Sequence, residues 1–329
     1  MSKKALISGI TGQTGSYLAE LLLDKGYEVH GILRRVGLLE GRARVERIYP
    51  ILDRIQLHQG DVTCLSSIYD IFHKVQPDEC YHLAAQSFVA SSFDDPAGTL
   101  HTNVDGTLNM LMAIKNVSPA CKFYFAGSSE MFGKVKETPQ TELTPFHPRS
   151  PYGISKVAGF ELTRNYREAY GLHCSSGILF NHEGTRRGSE FVTQKIAQGA
   201  AKIKYKVACG FENIPKLKLG NLDAKRDWGY AKEYAHAQWL MLQQEQPDDY
   251  VVATGETHSI KEFCDAAFKC VDLNWEDWIE VDPKFLRPAE VDLLVGGYSK
   301  AKRVLGWAPT TTFNDLVKIM MDGAMEEYA

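Results

Sequence analysis

The first half of the chain alternates short apolar runs with stretches in which apolar residues recur every three or four positions. The apolar runs predict strands, and the recurring positions predict amphipathic helices. The predicted strands are Ala5–Ser8, Tyr27–Leu33, Ile55–His58, Glu79–Ala84, Lys122–Phe125 and His173–Phe180. The predicted helices are Ser16–Lys25, Cys64–Lys74, Thr99–Asn116 and Tyr152–Tyr170. This alternation is typical of βαβ units, so we expect a parallel sheet with right-handed crossovers.

The pattern loosens after Asn181. It predicts helices at Glu190–Lys206, Tyr230–Gln244, Phe263–Val271 and Phe313–Glu327, a strand at Tyr250–Ala253, and a loop with a short strand at Phe211–Leu222. We therefore expect an α/β fold, a doubly wound, Rossmann-like parallel sheet with a smaller, mostly C-terminal substrate-binding lobe. The expected bounds are 1–180 for the sheet domain, with returning segments near 228–255, and 181–227 and 256–329 for the lobe.

Composition and charge argue against several classes of protein. The chain of 329 residues has 37 Lys and Arg against 41 Asp and Glu, a net charge of −4. A nucleic-acid binder usually carries a basic excess, so we expect no such function. There is no run of about 18 apolar residues and no signal-peptide core, so we expect no membrane span and a cytoplasmic location. The 7 cysteines include no C-x-x-C pair. We therefore expect neither a disulfide framework nor a metal site.

A glycine-rich turn lies between the first predicted strand and the first predicted helix. Its sequence is Gly9-Ile10-Thr11-Gly12-Gln13-Thr14-Gly15. Glycines allow a tight turn and let backbone N–H groups approach a pyrophosphate at the N-terminus of a helix. The alternative is an ordinary glycine-rich turn. The strand–turn–helix context favours dinucleotide binding, with contacts from Gly9, Thr11, Gly12, Gln13, Thr14 and Gly15.

The end of the second predicted strand indicates which cofactor is bound. NAD-preferring folds usually carry an acidic residue there, but this chain has Arg34 and Arg35. Paired arginines suit a ribose 2′-phosphate, so NADP is favoured over NAD. The alternative is a solvated basic corner. Asp61, with Val62 beside it, follows the third strand, where a side chain can meet the adenine.

Tyr152 and Lys156 are candidates for catalysis. They are four residues apart and share one face of a predicted helix. The lysine can lower the pKa of the tyrosine and hold a ribose hydroxyl. A phenolate beside a nicotinamide is a base that can remove an alcohol proton while hydride leaves the same carbon.

Ser128 and Glu130 follow the strand Lys122–Phe125. The carboxyl ends of such strands border the ligand crevice. The Ser128 hydroxyl can bond the oxygen that Tyr152 deprotonates. A simple alcohol dehydrogenase needs no carboxylate here, whereas a reaction that also moves a carbon-bound proton does. The alternative for Glu130 is a capping or salt-bridged glutamate.

Further blocks of sequence, together with these motifs, resemble the GDP-mannose 4,6-dehydratase family of the extended short-chain dehydrogenase/reductase superfamily. The blocks are Leu83-Ala84-Ala85-Gln86-Ser87, Pro145-Phe146-His147-Pro148-Arg149-Ser150-Pro151-Tyr152, Gly177-Ile178-Leu179-Phe180-Asn181-His182-Glu183, Leu219-Gly220-Asn221-Leu222-Asp223-Ala224-Lys225-Arg226-Asp227-Trp228-Gly229 and Arg287-Pro288-Ala289-Glu290-Val291-Asp292. The resemblance covers nearly the whole chain. One departure is Thr14, which stands where the family usually has an aspartate.

The resemblance implies roles for residues that the motifs alone do not assign. The implied cofactor contacts are Leu83, Ala84, Ala85, Gln86, Ser87, Lys156, His182 and Arg187. The implied contacts to the substrate GDP-mannose are Ser87, Ser128, Glu130, Asn181, Val192, Lys195, Arg226, Arg287 and Glu290. Arg34 and Arg35 match a loop that reaches the cofactor of a neighbouring subunit, which implies a homo-tetramer built as a dimer of dimers.

The reaction implied is the dehydration of GDP-mannose to GDP-4-keto-6-deoxymannose by internal hydride transfer, from C4 to NADP and then from NADPH to C6. Tyr152 would remove the 4-hydroxyl proton and Glu130 the C5 proton. Two alternatives remain open. One is an epimerase or 4,6-dehydratase that acts on another nucleotide sugar, and the other is a non-catalytic module that senses NADP(H). A sensor has no need of Ser128, Glu130, Tyr152 and Lys156 together.

Overall fold

The structure is a computed structural model that describes residues 2–34, 45–285 and 293–328. Arg35, Arg287 and Glu290 lie outside the described residues, so their predicted roles are not addressed by the structure. None of the described helices is long and apolar enough to cross a membrane.

The strands are short and mostly buried. Their bounds are β1 Lys4–Ser8, β2 Glu28–Leu33, β3 Gln56–Gln59, β4 Glu79–His82, β5 Lys122–Ser128, β6 Cys174–Leu179, β7 Asn181–Glu183, β8 Leu217–Leu219, β9 Lys225–Arg226, β10 Trp228–Tyr230, β11 Asp249–Val252, β12 His258–Ser259 and β13 Ile279–Val281. In the described residues, seven of them form one sheet in the order β11-β6-β5-β4-β1-β2-β3. All neighbouring pairs in it are parallel. The predicted α/β class and the Rossmann-like sheet are therefore confirmed.

The helices lie on both faces of this sheet and beyond its edge. Their bounds are α1 Gln13–Asp24, α2 Leu65–Val75, α3 Val89–Asp94, α4 Pro96–Leu100, α5 Gly106–Val117, α6 Pro151–Tyr170, α7 Val192–Ala208, α8 Ala231–Gln243, α9 Ile260–Lys269, α10 Trp275–Trp278 and α11 Phe313–Glu326. Helices α1 and α8 pack together on one face, and α2, α5 and α6 cover the other. Because both faces are covered, the central strands β4 and β6 are buried along their whole length, although they include the polar residues Glu79, His82, Ser175 and Ser176.

A third apolar cluster lies away from the sheet. It is built from α7, α9 and α11, with residues such as Ile196, Phe263 and Met320 at its centre. Two short strand pairs, β10 with β7 and β12 with β9, lie outside the seven-stranded sheet. The region corresponds to the smaller lobe expected from the sequence, but the predicted domain bounds stay a prediction.

Besides several short elements that were not predicted, two helical segments differ from the expected ones. The helix predicted at Thr99–Asn116 is interrupted: α4 ends at Leu100, a π-helical turn spans His101–Asp105, and α5 starts at Gly106. A 3₁₀ helix at Glu46–Arg54 was not predicted. It contains a proline, which disfavours a regular α-helix, and only Ile48 and Ile51 are buried in it. Such a short apolar pair gives no clear periodicity.

Candidate active site

A cleft with a volume of about 300 Å³ opens at the carboxyl ends of the central strands. Its lining comes from the turn after β1, the loops after β4 and β5, the first turns of α6 and the segment from Leu179 to Phe191. Ligands of open parallel sheets bind at this edge. The cleft is therefore the candidate site.

The glycine turn after β1 has the geometry that a pyrophosphate requires. Gly9 has a positive φ of 75°, and a Cβ on it would lie 2.8 Å from the backbone nitrogen of Ala84. A Cβ on Gly15 would overlap the carbonyl oxygen of Gly9, so α1 can start this close to β1 only with glycine there. Gly12 is the N-cap of α1, and no side chain of the described residues caps that helix. Its first N–H groups thus remain available to an anionic ligand, and the residues fit a dinucleotide.

His182 fixes the first turn of α1 to the segment after β6. Its Nδ1 lies 2.9 Å from the carbonyl oxygen of Phe180, and its Nε2 lies 2.9 Å from the Thr14 hydroxyl. Since a carbonyl only accepts, we assign the proton to Nδ1, and the Thr14 hydroxyl donates to Nε2. The Gln13 amide also donates to the carbonyl oxygen of His182, at 2.9 Å. Burial, together with the nearby charge of Arg187, lowers the pKa of His182 to about 4, so its ring is neutral.

Local sequence explains how α6 is placed over the end of β5. Ser150 caps the helix by accepting a hydrogen bond from the Gly153 backbone N–H at 3.0 Å, and Pro151 occupies the first turn. A Cβ on Gly153 would lie 2.7 Å from the carbonyl oxygen of Glu130. This glycine lets the first turn of α6 contact the turn that carries Glu130. Tyr152 and Glu130 are thereby brought to the same cleft.

Tyr152 and Lys156 are both buried on the face of α6 that lines the cleft. The Lys156 ammonium donates to the carbonyl oxygen of Ala126 at 2.8 Å, and burial lowers its pKa to about 8. Burial raises the pKa of Tyr152 to about 12, while a hydrogen bond with Ser128 and the charge of Arg187 act in the opposite direction. We expected Lys156 to lower the pKa of Tyr152, but in the structure burial is the largest influence.

Ser128 and Glu130 lie at the end of β5, where a short 3₁₀ turn spans Ser129–Met131. The Glu130 backbone N–H donates to the Ser128 hydroxyl oxygen at 3.2 Å. The same hydroxyl bonds Tyr152, so it joins the phenol and the turn that holds the carboxylate. The cleft therefore combines a phenol, an ammonium, a hydroxyl and a carboxylate.

Arg187 supplies a further positive charge to the cleft. Its Nε lies 3.0 Å from a Glu183 carboxylate oxygen, and its guanidinium stacks 3.5 Å from the ring centre of Phe191. Glu183 is buried, accepts the Thr193 hydroxyl at 2.6 Å, and has its pKa raised by that burial. The Phe191 ring also packs edge-to-face with Phe88, 5.7 Å between centres. This contact joins the loop after β4 to the start of α7.

The cleft brings together most of the residues predicted from the sequence. Those that line it are Gly9, Gly12, Gln13, Thr14, Gly15, Leu83, Ala85, Ser87, Ser128, Glu130, Tyr152, Lys156, Asn181, His182, Arg187 and Arg226. Among the described candidates, those outside the lining are Thr11, Arg34, Asp61, Val62, Ala84, Gln86, Val192 and Lys195.

Several candidates outside the lining support neighbouring segments. Asp61 accepts the Thr63 backbone N–H at 2.9 Å and so closes a turn after β3. Gln86 donates its backbone N–H to Asn103 at 2.8 Å. Lys195 donates to the carbonyl oxygen of Lys218 at 2.7 Å.

Sequence reasoning missed other residues of the cleft. Arg47, Phe88, Val89, Arg186, Glu190, Phe191 and Gln238 also line it. Arg47 donates to the carbonyl oxygens of Arg186 and Thr11, at 2.7 and 3.3 Å, and thus supports the glycine turn from the unpredicted 3₁₀ helix. In the sequence Arg47 is one of three arginines in six residues, with Arg42 and Arg44, and no pattern distinguishes it from the other two. In residues 2–34, 45–285 and 293–328, no group of three or more His, Cys, Asp or Glu is placed to hold a metal ion.

Comparisons with known proteins identify chains that this one resembles. The family model described as GDP-mannose 4,6 dehydratase matches residues 6–320. The chain is 51% identical over 333 residues to "GDP-mannose 4,6 dehydratase 1" of Arabidopsis thaliana, covering 98% of this chain and 90% of that protein. It is 46% identical to the GDP-mannose 4,6-dehydratase of Vibrio cholerae, covering 98% and 93%. Among solved structures, the Thermus thermophilus UDP-glucose 4-epimerase in complex with NAD is similar, with a TM-score of 0.84, 26% identity and 98% of each chain covered.

Proposed function

Because the chain belongs to the GDP-mannose 4,6-dehydratase family, we propose that it converts GDP-mannose to GDP-4-keto-6-deoxymannose in a redox-neutral dehydration. The observation that carries this proposal is the convergence of Ser128, Glu130, Tyr152 and Lys156 on one cleft beside the glycine turn. An oxidation at C4 needs the tyrosine and the lysine. The loss of water from C5 and C6 needs a second proton-transfer group, and Glu130 supplies it.

A nicotinamide cofactor fits the residues at the glycine turn, and we propose NADP. The open N-terminus of α1 and the close approach of Gly9 to Ala84 support a pyrophosphate there. The Thermus thermophilus neighbour in complex with NAD supports a nicotinamide dinucleotide. The preference for NADP rests on Arg34 and Arg35 in the sequence. When bound, the nicotinamide would accept hydride from C4 and return it to C6, and its positive charge would lower the pKa of Tyr152.

Tyr152 and Lys156 act on the 4-hydroxyl group. In the protein alone the phenol is neutral, because burial raises its pKa to about 12. The ammonium of Lys156 and the guanidinium of Arg187 place positive charge in the same cleft, which favours the phenolate as the substrate proton is transferred. The Ser128 hydroxyl, which bonds the phenol, orients the same oxygen.

Glu130 acts next, once C4 is a ketone. A 4-ketone acidifies the proton on C5, and the Glu130 carboxylate removes it. The carboxyl group can then return that proton to the departing 6-hydroxyl, so water leaves and the carboxylate is regenerated. Reduction at C6 also adds a proton at C5, which balances the proton that Tyr152 took from the 4-hydroxyl. One group serves as base and then as acid because the two atoms are adjacent.

The other parts of the proposal concern the substrate, the assembly and the location. Asn181, Ser87 and Arg226 line the cleft and are proposed to contact the sugar and the pyrophosphate. Arg226 is buried and donates to the Lys225 carbonyl oxygen at 2.7 Å.

A homo-tetramer is proposed from the resemblance of the Arg34–Arg35 segment. Light scattering that gave a monomer with cofactor bound would contradict it. The cytoplasmic location stays a prediction.

The reaction is tested by incubating the protein with GDP-mannose and a catalytic amount of NADP⁺. We expect loss of GDP-mannose with no net accumulation of NADPH. A different nucleotide sugar consumed in its place, or a change of configuration without loss of water, would instead support the epimerase alternative. Binding of NADP⁺ with no turnover of any nucleotide sugar would support the alternative of a non-catalytic module that senses NADP(H).

Two variants separate the roles of the phenol and the carboxylate. Tyr152→Phe should abolish oxidation at C4, and Glu130→Gln should still oxidise C4 slowly, with NADPH visible by absorbance. Glu130→Gln should lower turnover by at least about 10²–10⁴-fold. Glu130→Gln should not exchange the C5 proton with deuterated solvent. Exchange at the wild-type rate would show that the base lies elsewhere.

Matched controls lie on the same helix as Tyr152. Tyr166 is a mostly buried tyrosine further along α6, and Glu161 is an exposed carboxylate paired with Arg164. Tyr166→Phe and Glu161→Gln should leave both the NADPH absorbance and the exchange of the C5 proton as they are in the wild type.

The cofactor preference is tested with the double variant Arg34→Ala, Arg35→Ala. Loss of two cations that are proposed to bind a 2′-phosphate should weaken NADP binding much more than NAD binding. Equal weakening of NADP and NAD binding would overturn the assignment of NADP. It would not bear on the dehydratase reaction, which the experiment with GDP-mannose tests.

A further inference from the structure

Gln238 is a polar residue in an otherwise apolar position of the fold. It lies on the buried face of α8, with Tyr234, Ala235, Met241 and Leu242. Its side chain is fully buried, and it also lines the cleft. The sequence gives no reason for a glutamine there, since apolar residues surround it at helical spacing.

The carboxamide of Gln238 has no hydrogen-bond partner for either Nε2 or Oε1 among the residues that the structure describes. Buried amides are almost always hydrogen-bonded in folded proteins, and an unpaired one is destabilising. A methionine of similar volume would avoid this loss. A partner that enters through the cleft would explain the glutamine.

The sheet order indicates which end of a dinucleotide would lie near Gln238. Helix α8 packs on α1 and on strands β5 and β6, and the neighbouring cleft residues include Leu179 and Phe180. The adenosine end is expected on the other side of β1, beyond β2 and β3, where Arg34 and Asp61 follow their strands. Gln238 thus belongs to the side of the cleft that holds Ser128 and Tyr152, which is the nicotinamide side.

We propose that Gln238 is a cofactor-binding residue whose buried carboxamide pairs with the carboxamide of the nicotinamide. This rests on the nicotinamide cofactor of the proposed function. A primary amide offers both donors and an acceptor, and another primary amide complements both. A phosphate would use only the donors and would leave Oε1 unpaired.

A trapped water is the competing explanation. Tyr124 and Tyr234 lie in the same apolar cluster as α8, and their hydroxyls also lack partners among the described residues. A water that bridged one of them to Gln238 would satisfy the amide without any cofactor. The two explanations differ in what a change at this position does to ligand binding.

The experiment measures the binding of two ligands to the full chain by calorimetry. One is NADP⁺, and the other is 2′-phospho-ADP-ribose, which lacks the nicotinamide. Gln238→Met should weaken NADP⁺ binding roughly 10-fold, the effect of losing two buried hydrogen bonds, and leave 2′-phospho-ADP-ribose unchanged. Equal affinities of variant and wild type for NADP⁺, or equal weakening of both ligands, would overturn the inference.

Thermal unfolding gives a second readout that does not depend on activity. Without ligand, Gln238→Met should melt at the same or a higher temperature, because it removes an unpaired buried amide. The rise in melting temperature that NADP⁺ produces should be smaller in the variant than in the wild type. A destabilised variant with an undiminished ligand-induced rise would show a purely structural role.

Gln194 offers a matched control. It is also a buried glutamine on a helix, its Oε1 also lacks a partner among the described residues, and it does not line the cleft. Gln194→Met should leave the affinities for both ligands unchanged. A wild type that bound neither NADP⁺ nor NAD⁺ would contradict the cofactor assignment itself. A Gln238→Met variant that bound NADP⁺ like the wild type would contradict only the role of Gln238.

Discussion

At the scale of single residues, Thr14 contacts the neutral ring of His182 beside the glycine turn. The Thr14 hydroxyl lies 2.9 Å from Nε2 of a neutral, buried histidine. Thr14→Asp would place a carboxylate against that nitrogen. An opposite charge within hydrogen-bond distance should raise the pKa of His182 from about 4 to between about 5 and 7. The imidazole proton resonances, followed by NMR across pH, measure this change.

The matched control for this variant is Thr14→Asn, which has the same shape as aspartate but no charge. It should leave the pKa of His182 near its wild-type value. If both variants gave the same titration curve, the neutral state of His182 would depend on burial alone and not on what residue 14 carries.

The sequence predicted those site residues whose chemistry depends on spacing. Gly9, Gly15, Tyr152 and Lys156 were found because a turn and a helix fix their separation, and all four line the cleft. Gln238 could not be found in this way. It occupies a helical position at which burial predicts an apolar side chain, and its relation to the cleft depends on how α8 packs on β5 and β6.

At the scale of elements, Asp227 links three segments of the chain. It lies between β9 and β10 and is buried. Its carboxylate accepts the backbone N–H and hydroxyl of Thr254 at 2.8 and 2.7 Å, and the N–H groups of Gly255 and Gly296 at 3.0 and 3.2 Å. Asp227→Asn replaces one of the two acceptor oxygens with an amide NH₂ group, which only donates. The donors that bind this oxygen in the wild type would then face another donor. We expect the unfolding free energy to fall by about 3 kcal/mol.

Urea unfolding measures that loss, and Asp223→Asn provides the control. Asp223 lies close in sequence, in the loop that precedes β9, but is exposed. Its replacement should change the unfolding free energy by no more than about 0.5 kcal/mol. An Asp227→Asn variant as stable as the wild type would mean that the three segments are held by other contacts.

Long, strongly patterned elements were predicted well, whereas short ones were not. The strands of the central sheet and helices such as α1, α6 and α7 were predicted to within a few residues. Strands β7, β9 and β10 are only two or three residues long. Their pairing is set by loops such as the one that Asp227 holds, so no local periodicity marks them. The π-helical turn at His101–Asp105 likewise leaves no apolar signature.

At the scale of the whole molecule, the cleft is formed by residues far apart in sequence. Gln13 and Thr14 contact His182, and Arg47 contacts Arg186, across more than 130 positions. These contacts follow from strand order, which places β1 and β6 on either side of β4 and β5. The sequence predicted a parallel sheet but not the order of its strands. Many residues of the site could therefore be predicted, whereas the contacts between them could not.

Buried histidines make the stability of the whole fold sensitive to acid. Burial lowers the pKa of His58, His173 and His182 to about 4 and that of His82 to about 3. In the unfolded chain the ordinary value is about 6.5. As the pH falls from about 6.5 to about 4, the unfolded chain therefore binds protons that the folded protein does not. Each histidine then lowers the unfolding free energy by up to about 1.4 kcal/mol per pH unit, an effect that is absent above pH 6.5.

Urea unfolding at several pH values between about 7 and about 4.5 measures this dependence. His173 provides the sharpest variant, because its Nε2 has no hydrogen-bond partner among the described residues. His173→Leu should reduce the pH dependence by at most about a quarter, since it removes one of these four groups and leaves His30 and His236, whose pKa values burial also lowers. The stability near pH 7 should change little. A wild-type stability that stayed constant down to about pH 5 would mean that these imidazoles are protonated in the folded protein, so that burial does not hold them neutral.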